Sequence, residues 1–280
     1  MAYTVEHTSP DVLTIRHTGM TVGWEQRYLL ISDVHFDSPH CDRRLLGKHL
    51  EQAKDSGAGI LCIGDWFDAM QGKNDKRGSK GDLQPEDKQN AYFNALLNNS
   101  AAYLQDYASQ LVMVSDGNHD TSIVKHNEID ILELMCDRLN VFHGGYSGFI
   151  RFMFEGNKSN RSSVWAYFEH GSGGGGPVTK GTIQTNRRAA KAWADIYVSG
   201  HIHESWVLEN VVAKPVDSGR VLLATQTHVQ LPTYKQEYTM RGGFHVEKGR
   251  PPKPLGGYWL IFYYDHAQHG KVGYRFERAN

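Results

Sequence analysis

The chain predicts an α/β protein made of two packed mixed β-sheets, a β-sandwich flanked by helices. Short apolar runs at 28–32, 59–63 and 111–114 alternate with amphipathic segments through the first half; that alternation marks crossover units. The second half holds seven short strand-like runs and one helical stretch, so its strands need a second sheet against which to bury their apolar faces. With 280 residues, 40% hydrophobic and 22% charged, the chain can enclose one sizeable core, and its composition argues against extensive disorder.

In order, residues 28–32 read as a buried strand, Arg43–Ser56 as a helix with Leu45, Leu46, Leu50 and Ala53 on its apolar face, and Gly59–Ile63 as the next strand. The rhythm breaks at 71–87, where Gly72, Gly78, Gly81 and Pro85 mix with many charges; an exposed insertion is expected there, of the kind that handles substrate. A helix at 90–107, a strand at 111–114 and a helix at 128–139, with Ile129, Leu132, Leu134, Met135 and Leu139, follow. Strands are then expected at 149–154, 164–168, 196–198, 206–208, 221–224, 259–263 and 274–276, with a helix near 182–194. The run 242–257, with Pro251, Pro252 and Pro254, reads as an extended surface element that could contact a partner;. No repeat or linker divides the chain, so 1–280 is read as a single domain.

A formal charge of −1 gives no global basic field, which excludes tight non-specific duplex binding on charge alone. Local clusters occur at Lys73, Lys76, Arg77 and Lys80, at Arg187, Arg188 and Lys191, and at Arg241, Lys248, Arg250 and Lys253. Beside a cleft they could track a polyanion, with Trp66, Phe67, Trp206, Tyr234 and Tyr238 stacking bases; solvated surface and core packing are the commoner fates of such residues. Cys41, Cys62 and Cys136 are odd in number, far apart and form no close pair, which fits a reducing compartment. Neither a charged-then-apolar leader nor an apolar run of spanning length occurs, so a soluble cytoplasmic protein is expected.

Five stretches concentrate metal-binding side chains: Asp33-Val34-His35, Gly64-Asp65, Gly117-Asn118-His119-Asp120, Glu169-His170-Gly171 and Gly200-His201-Ile202-His203. Alone, the first is a loop and the second an ordinary turn. Two imidazoles flanking an apolar residue are more specific, because every ring nitrogen needs a partner. Three of the stretches follow apolar, strand-like runs, and strand ends hold ligands rigidly.

The set and its order resemble the calcineurin-like metallophosphoesterase family, whose pattern is Asp-x-His, Gly-Asp-x-x-Asp, Gly-Asn-His-Asp/Glu, a lone His and Gly-His-x-His. The chain matches at every step between about residues 28 and 205, including Asp68 as the last residue of the second motif. The resemblance implies a metallophosphoesterase-type fold and two divalent cations. Asp33, His35, Asp65 and His203 would hold one; Asp65, Asn118, His170 and His201 would hold the other, with Asp65 bridging. His119 would stand beside the phosphoryl group, with Asp120 orienting it. Two such cations lower the pKa of water until hydroxide is available at neutral pH and draw charge from the phosphoryl oxygens, while His119 would protonate the departing alkoxide as general acid. Nitrogen and oxygen donors without thiolate suit manganese, iron or zinc rather than calcium and do not separate those three; manganese is the first expectation. Asp37 and Asp68 are expected to fix loops or ligands from behind. His228, His126 and Lys125 are candidate substrate contacts, and the run from Gly171 to Gly176 a flexible loop that could gate the metals.

The expected function is a metal-dependent phosphodiesterase, with DNA or RNA as the substrate class to test first; a phosphomonoesterase acting on protein or small molecules is the alternative. A non-catalytic scaffold is disfavoured because every ligand position and His119 are retained. A repair-type nuclease would need a long coiled-coil ATPase partner, of which the sequence gives no sign. No membrane partner is expected, and the assembly state is open.

Overall fold

The computed structural model describes residues 3–69, 83–156, 161–176, 178–238, 244–265 and 271–280. Most of the expected insertion at 71–87, including its basic cluster, lies outside them; Pro85–Asp87 forms one 3-10 turn.

Among the described residues, thirteen strands form two sheets. In chain order they are β1 (Tyr3–Ser9), β2 (Val12–Thr18), β3 (Glu25–Ile31), β4 (Gly59–Ile63), β5 (Leu111–Ser115), β6 (Phe142–His143), β7 (Ser147–Glu155), β8 (Arg161–Glu169), β9 (Ile196–Ser199), β10 (Trp206–Pro215), β11 (Val221–Gln230), β12 (Tyr258–Asp265) and β13 (Lys271–Arg278). A six-stranded sheet runs β13-β12-β3-β4-β5-β6 and a seven-stranded one β1-β2-β7-β8-β9-β11-β10. Both are mixed, since β3, β4, β5 and β6 are parallel while β12 meets β3 antiparallel, and β9 lies parallel to both β8 and β11 within a sheet that also holds hairpins. The expected second sheet is present, but not all second-half strands enter it: β12 and β13 return to the first, and β1 and β2 join the second.

Alternation along the strands decides what each face buries. From β3 and β4, Tyr28, Leu30, Leu61 and Ile63 meet Ile15, Phe152, Phe154, Phe168 and Val198 of the facing sheet. Their neighbours Leu29, Ile31, Ile60 and Cys62 face the other way, onto a helical layer. That layer comprises α1 (Arg43–Ser56), α2 (Tyr92–Leu104) and α4 (Ile131–Leu139), which bury Leu46, Leu50, Leu96, Leu104, Leu132 and Met135. Asp42 caps α1 through the Leu45 N–H, and Gly57 ends it in the left-handed region;.

Between β5 and α4 stands α3 (Asn118–Asn127), where a loop had been expected. The run 242–257 is not simply extended: a short helix (Phe244–Glu247) occupies part of it, His245 is buried, and Gly256 donates to the Thr233 carbonyl. All three cysteines are free and buried. Among the described residues, no helix is long and apolar enough to cross a membrane.

Candidate metal centre

The parallel ladder between β3 and β4 continues past the strand ends: Asp33 N–H donates to the Gly64 carbonyl, Val34 and His35 N–H to that of Asp65, and Phe36 N–H to that of Trp66. This zips the first two motif loops together. From the other sheet, Gly200 N–H bonds the His170 carbonyl, and His201 N–H donates to the Asp33 carboxylate at 2.9 Å. The strand ends of both sheets therefore meet at one rim of the sandwich, where carboxyl ends of parallel strands build sites.

Five side chains there stand on left-handed backbone: Asp33 (φ 50°), His35 (48°), Asp65 (52°), His201 (74°) and His203 (53°). Non-glycine residues in that region cost about 1–2 kcal/mol each, so folding stability does not account for the arrangement; strain of this kind collects at functional sites. Two glycines make room for it. A Cβ on Gly200 would stand 1.8 Å from Ser32 Oγ and 2.4 Å from Asp33 Oδ2, and one on Gly117 would stand 2.0 Å from Asp65 Oδ1.

The donor atoms fall into two overlapping groups. In the first, His203 Nε2 is 3.1 Å from Asp33 Oδ1 and 3.4 Å from His35 Nε2, which is 4.0 Å from Asp65 Oδ2. In the second, His170 Nε2 is 3.1 Å from Asp65 Oδ2, and Asn118 Oδ1 is 2.7 Å from His201 Nδ1. Asp65 belongs to both groups, and its other oxygen takes the His119 backbone N–H at 2.9 Å, in the first turn of α3;.

These atoms fit divalent cations. His170 Nδ1 is bonded to the Ile63 carbonyl, so its buried Nε2 is the nitrogen turned to the centre, where its one neighbour of opposite charge at close range is Asp65 Oδ2 at 3.1 Å; an imidazole fixed from behind in this way is how histidine meets a metal. His35 Nε2 and His203 Nε2 face each other at 3.4 Å, a spacing at which one N–H can be shared between the rings or, with both lone pairs free, a cation could be held by both. Burial pushes the His170 imidazole down, but Asp65 and Asp33 beside it overcome this and raise it to about 10. Burial likewise opposes ionisation of Asp33, and His203 and His170 reverse that to about 2. The centre is a buried set of carboxylates and imidazoles whose opposite charges favour one another's ionised forms.

The chain belongs to the calcineurin-like phosphoesterase family. The family model matches residues 26–205, more than half of the chain. Similar solved structures include Vacuolar Protein Sorting 29 from Cryptosporidium parvum (13% identity, covering 92% of this chain and 100% of that one, TM-score 0.37) and a metallophosphoesterase from Sphaerobacter thermophilus (14%, 91% and 89%, 0.36). GAP50, the anchor in the inner membrane complex of Plasmodium, is another (12%, 91% and 84%, 0.41). No curated protein matches the sequence.

Around this family centre some expectations change. Asp120 does not orient His119: its two oxygens accept from the Gly117 and Phe67 N–H groups, and burial with Asp65 alongside pushes its carboxyl well above the usual range. The His119 ring is held by Asp68, whose carbonyl accepts from Nδ1 at 2.8 Å and whose Oδ1 lies 3.4 Å away. Asp37 fixes that loop, accepting from Asp68 N–H, Ala69 N–H and the Tyr92 hydroxyl. His228 is buried in β11, stacked on Tyr197 at 4.3 Å rather than at the rim, and Lys125 and His126 are exposed on the last turn of α3. Arg188, Lys191 and Lys253 are held in ion pairs by Glu169 and Glu204. Trp66, Phe67 and Tyr234 are fully buried, so they do not stack bases. Lys235, buried against Asp68, carries no motif and was missed.

Metal uptake at pH 7 should expel a proton from His170, since its raised pKa keeps it charged there and ligation needs the free lone pair;. Calorimetry in buffers of different ionisation enthalpy should show net proton release that falls away above pH 10; proton-neutral binding at pH 7 would contradict this. Gly200→Ala should weaken metal affinity by at least about tenfold, whereas Gly174→Ala, with nothing within 4 Å of the added carbon, should leave it unchanged in a chelator competition.

Proposed function

We propose that the protein is a metal-dependent phosphodiesterase in which His119 acts as general acid. The observation that carries the reading is the meeting of Asp33, His35, Asp65, Asn118, His170, His201 and His203 around Asp65, with the His119 ring standing edge-on to His35 at 4.8 Å between ring centres. Asp33, His35, Asp65 and His203 would hold one divalent cation and Asp65, Asn118, His170 and His201 a second. When bound, such a pair makes hydroxide available at neutral pH and stabilises the charge that develops on phosphoryl oxygens.

The chain's own residues supply the rest. Donation from Nδ1 to the Asp68 carbonyl puts the neutral tautomer's lone pair on His119 Nε2;. Once protonated, that nitrogen can pass a proton to a departing alkoxide. A diester suits the surrounding charge better than a monoester. Among the described residues, three cations near the ligand loops are already engaged: Lys235 by Asp68 and Glu237, Lys253 by Glu204 and Arg188 by Glu169. A singly charged diester asks less of them than a dianionic monoester. Nucleic acid is the diester to test first and manganese the first metal, and the three free thiols are in keeping with a cytoplasmic setting;.

Manganese-loaded protein should hydrolyse bis-p-nitrophenyl phosphate faster than p-nitrophenyl phosphate and should cleave linear single- or double-stranded DNA; preference for the monoester would favour the phosphatase alternative. His119→Ala should retain metal while losing about 100-fold or more in turnover of an unactivated diester, and Asp65→Asn should lose both metal and activity. Full activity of His119→Ala on such a diester would remove the acid assignment.

A further inference from the structure

We infer that Lys235 is a positioning residue for His119, acting through Asp68. This rests on the reading of His119 as the acid, and it concerns a residue beyond the 26–205 span that the family model matches.

A lysine is seldom buried without a task. Lys235 is 6% exposed, and its ammonium lies 3.0 and 3.1 Å from the two oxygens of Asp68, with Glu237 at 3.3 Å. The Asp68 carboxylate is itself a junction: Oδ1 is 3.1 Å from His35 Nδ1 and 3.4 Å from His119 Nδ1, while the residue's carbonyl accepts the His119 ring N–H. Two clamps therefore act on Asp68. Asp37 grips its backbone N–H from one side, and Lys235 grips its side chain from the other.

The lysine is placed as firmly as the ligands. Lys235 N–H donates to Thr233 Oγ1, whose hydroxyl donates to the Asp33 carbonyl; Tyr234 N–H donates to the same carbonyl, and Lys235 forms a β-bridge with Cys41. The C-terminal half of the chain thus reaches back to the first motif loop and delivers one cation between Asp68 and Glu237. Without it, Asp68 would stand close to the buried Asp37 carboxylate with no fixed counter-charge, and the two histidine rings that lean on Asp68 would lose their common support. Metal ligation through the Nε2 side of His35 should survive that loss better than proton delivery by His119, because ligation has further donors and delivery depends on the aim of a single ring.

The test compares wild type, Lys235→Met, Asp68→Asn, the double variant and Glu237→Gln as manganese-loaded full-length proteins. Two diesters are used, one with a p-nitrophenolate and one with an alkoxide leaving group. Lys235→Met should lower kcat on the alkoxide diester by about tenfold or more and on the p-nitrophenyl diester by less than about threefold, with KM and bound manganese unchanged. In the Asp68→Asn background the same change should cost little, since positions acting through one contact are not additive. Glu237→Gln, which leaves Lys235 its two contacts with Asp68, should lower kcat on the alkoxide diester by less than Lys235→Met does. Nitrogen NMR of histidine-labelled, metal-free protein supplies a readout independent of turnover: the His119 ring should be a single Nδ1–H tautomer in wild type and a mixture in Lys235→Met. Equal loss on both esters, a cost that persists beside Asp68→Asn, or an unchanged His119 tautomer would each overturn the inference. If Lys235→Met does not fold, Lys235→Arg, which keeps a cation beside Asp68, decides it: wild-type leaving-group dependence with a single His119 tautomer upholds the inference, and equal loss on both esters overturns it. If wild type binds manganese but cleaves neither ester, the phosphodiesterase reading fails, while the tautomer comparison still decides whether Lys235 positions the ring.

Discussion

The whole rim of the sandwich is organised around one carboxylate. Asp65 leaves β4 on left-handed backbone, is almost wholly buried, and faces imidazoles from both groups of donors. Isolated, a buried carboxylate of this kind would neutralise itself rather than stay charged. Burial does oppose its ionisation, yet His170 and the other rings hold it well below the usual carboxylate range. The imidazoles beside it, His170 first, offset this charge. The same geometry, read as ligands, answers it with cations.

The sandwich explains why these groups meet at all. Asp33, Asp65 and Asn118 follow parallel strands of the six-stranded sheet, and His170, His201 and His203 follow strands of the seven-stranded one. Neither sheet could assemble the centre alone. Tyr28, Leu30, Phe152 and Phe168, packed between the sheets, therefore set the distance across which the ligands meet, and the interior is dense enough to hold that distance. Gly200 lets loops from the two sheets come closer than a side chain would permit, and Gly117 does the same for two loops of the six-stranded sheet.

What the sequence shows is a matter of period and adjacency. The motif residues were legible because each stands just past an apolar run and the five motifs follow a family order. Asp120 was misassigned because adjacency to His119 suggested contact, whereas at the third position of α3 its carboxylate turns back to the Gly117 N–H;. That capping pattern was available as a signal for a helix at 118. His228 was weighed as a site contact for its nearness in sequence, but β11 lies parallel to β9 with His228 opposite Tyr197, so its ring stacks within the sheet. β1 was hidden by its edge position, which leaves most of its side chains in solvent. The return of β12 to pair with β3 is a long-range register that no local pattern encodes. Lys235 was invisible for the same reason, because a lone lysine in a loop acquires meaning only when Asp68, 167 residues earlier, is beside it.

The central claim is that Asp65 is shared by two cations, and anomalous diffraction from crystals grown with manganese tests it most directly. The account predicts two manganese peaks about 3.5–4 Å apart, both touching Asp65, one also reached by Asp33, His35 and His203 and the other by Asn118, His170 and His201. A single peak, or two with Asp65 on only one of them, would contradict it.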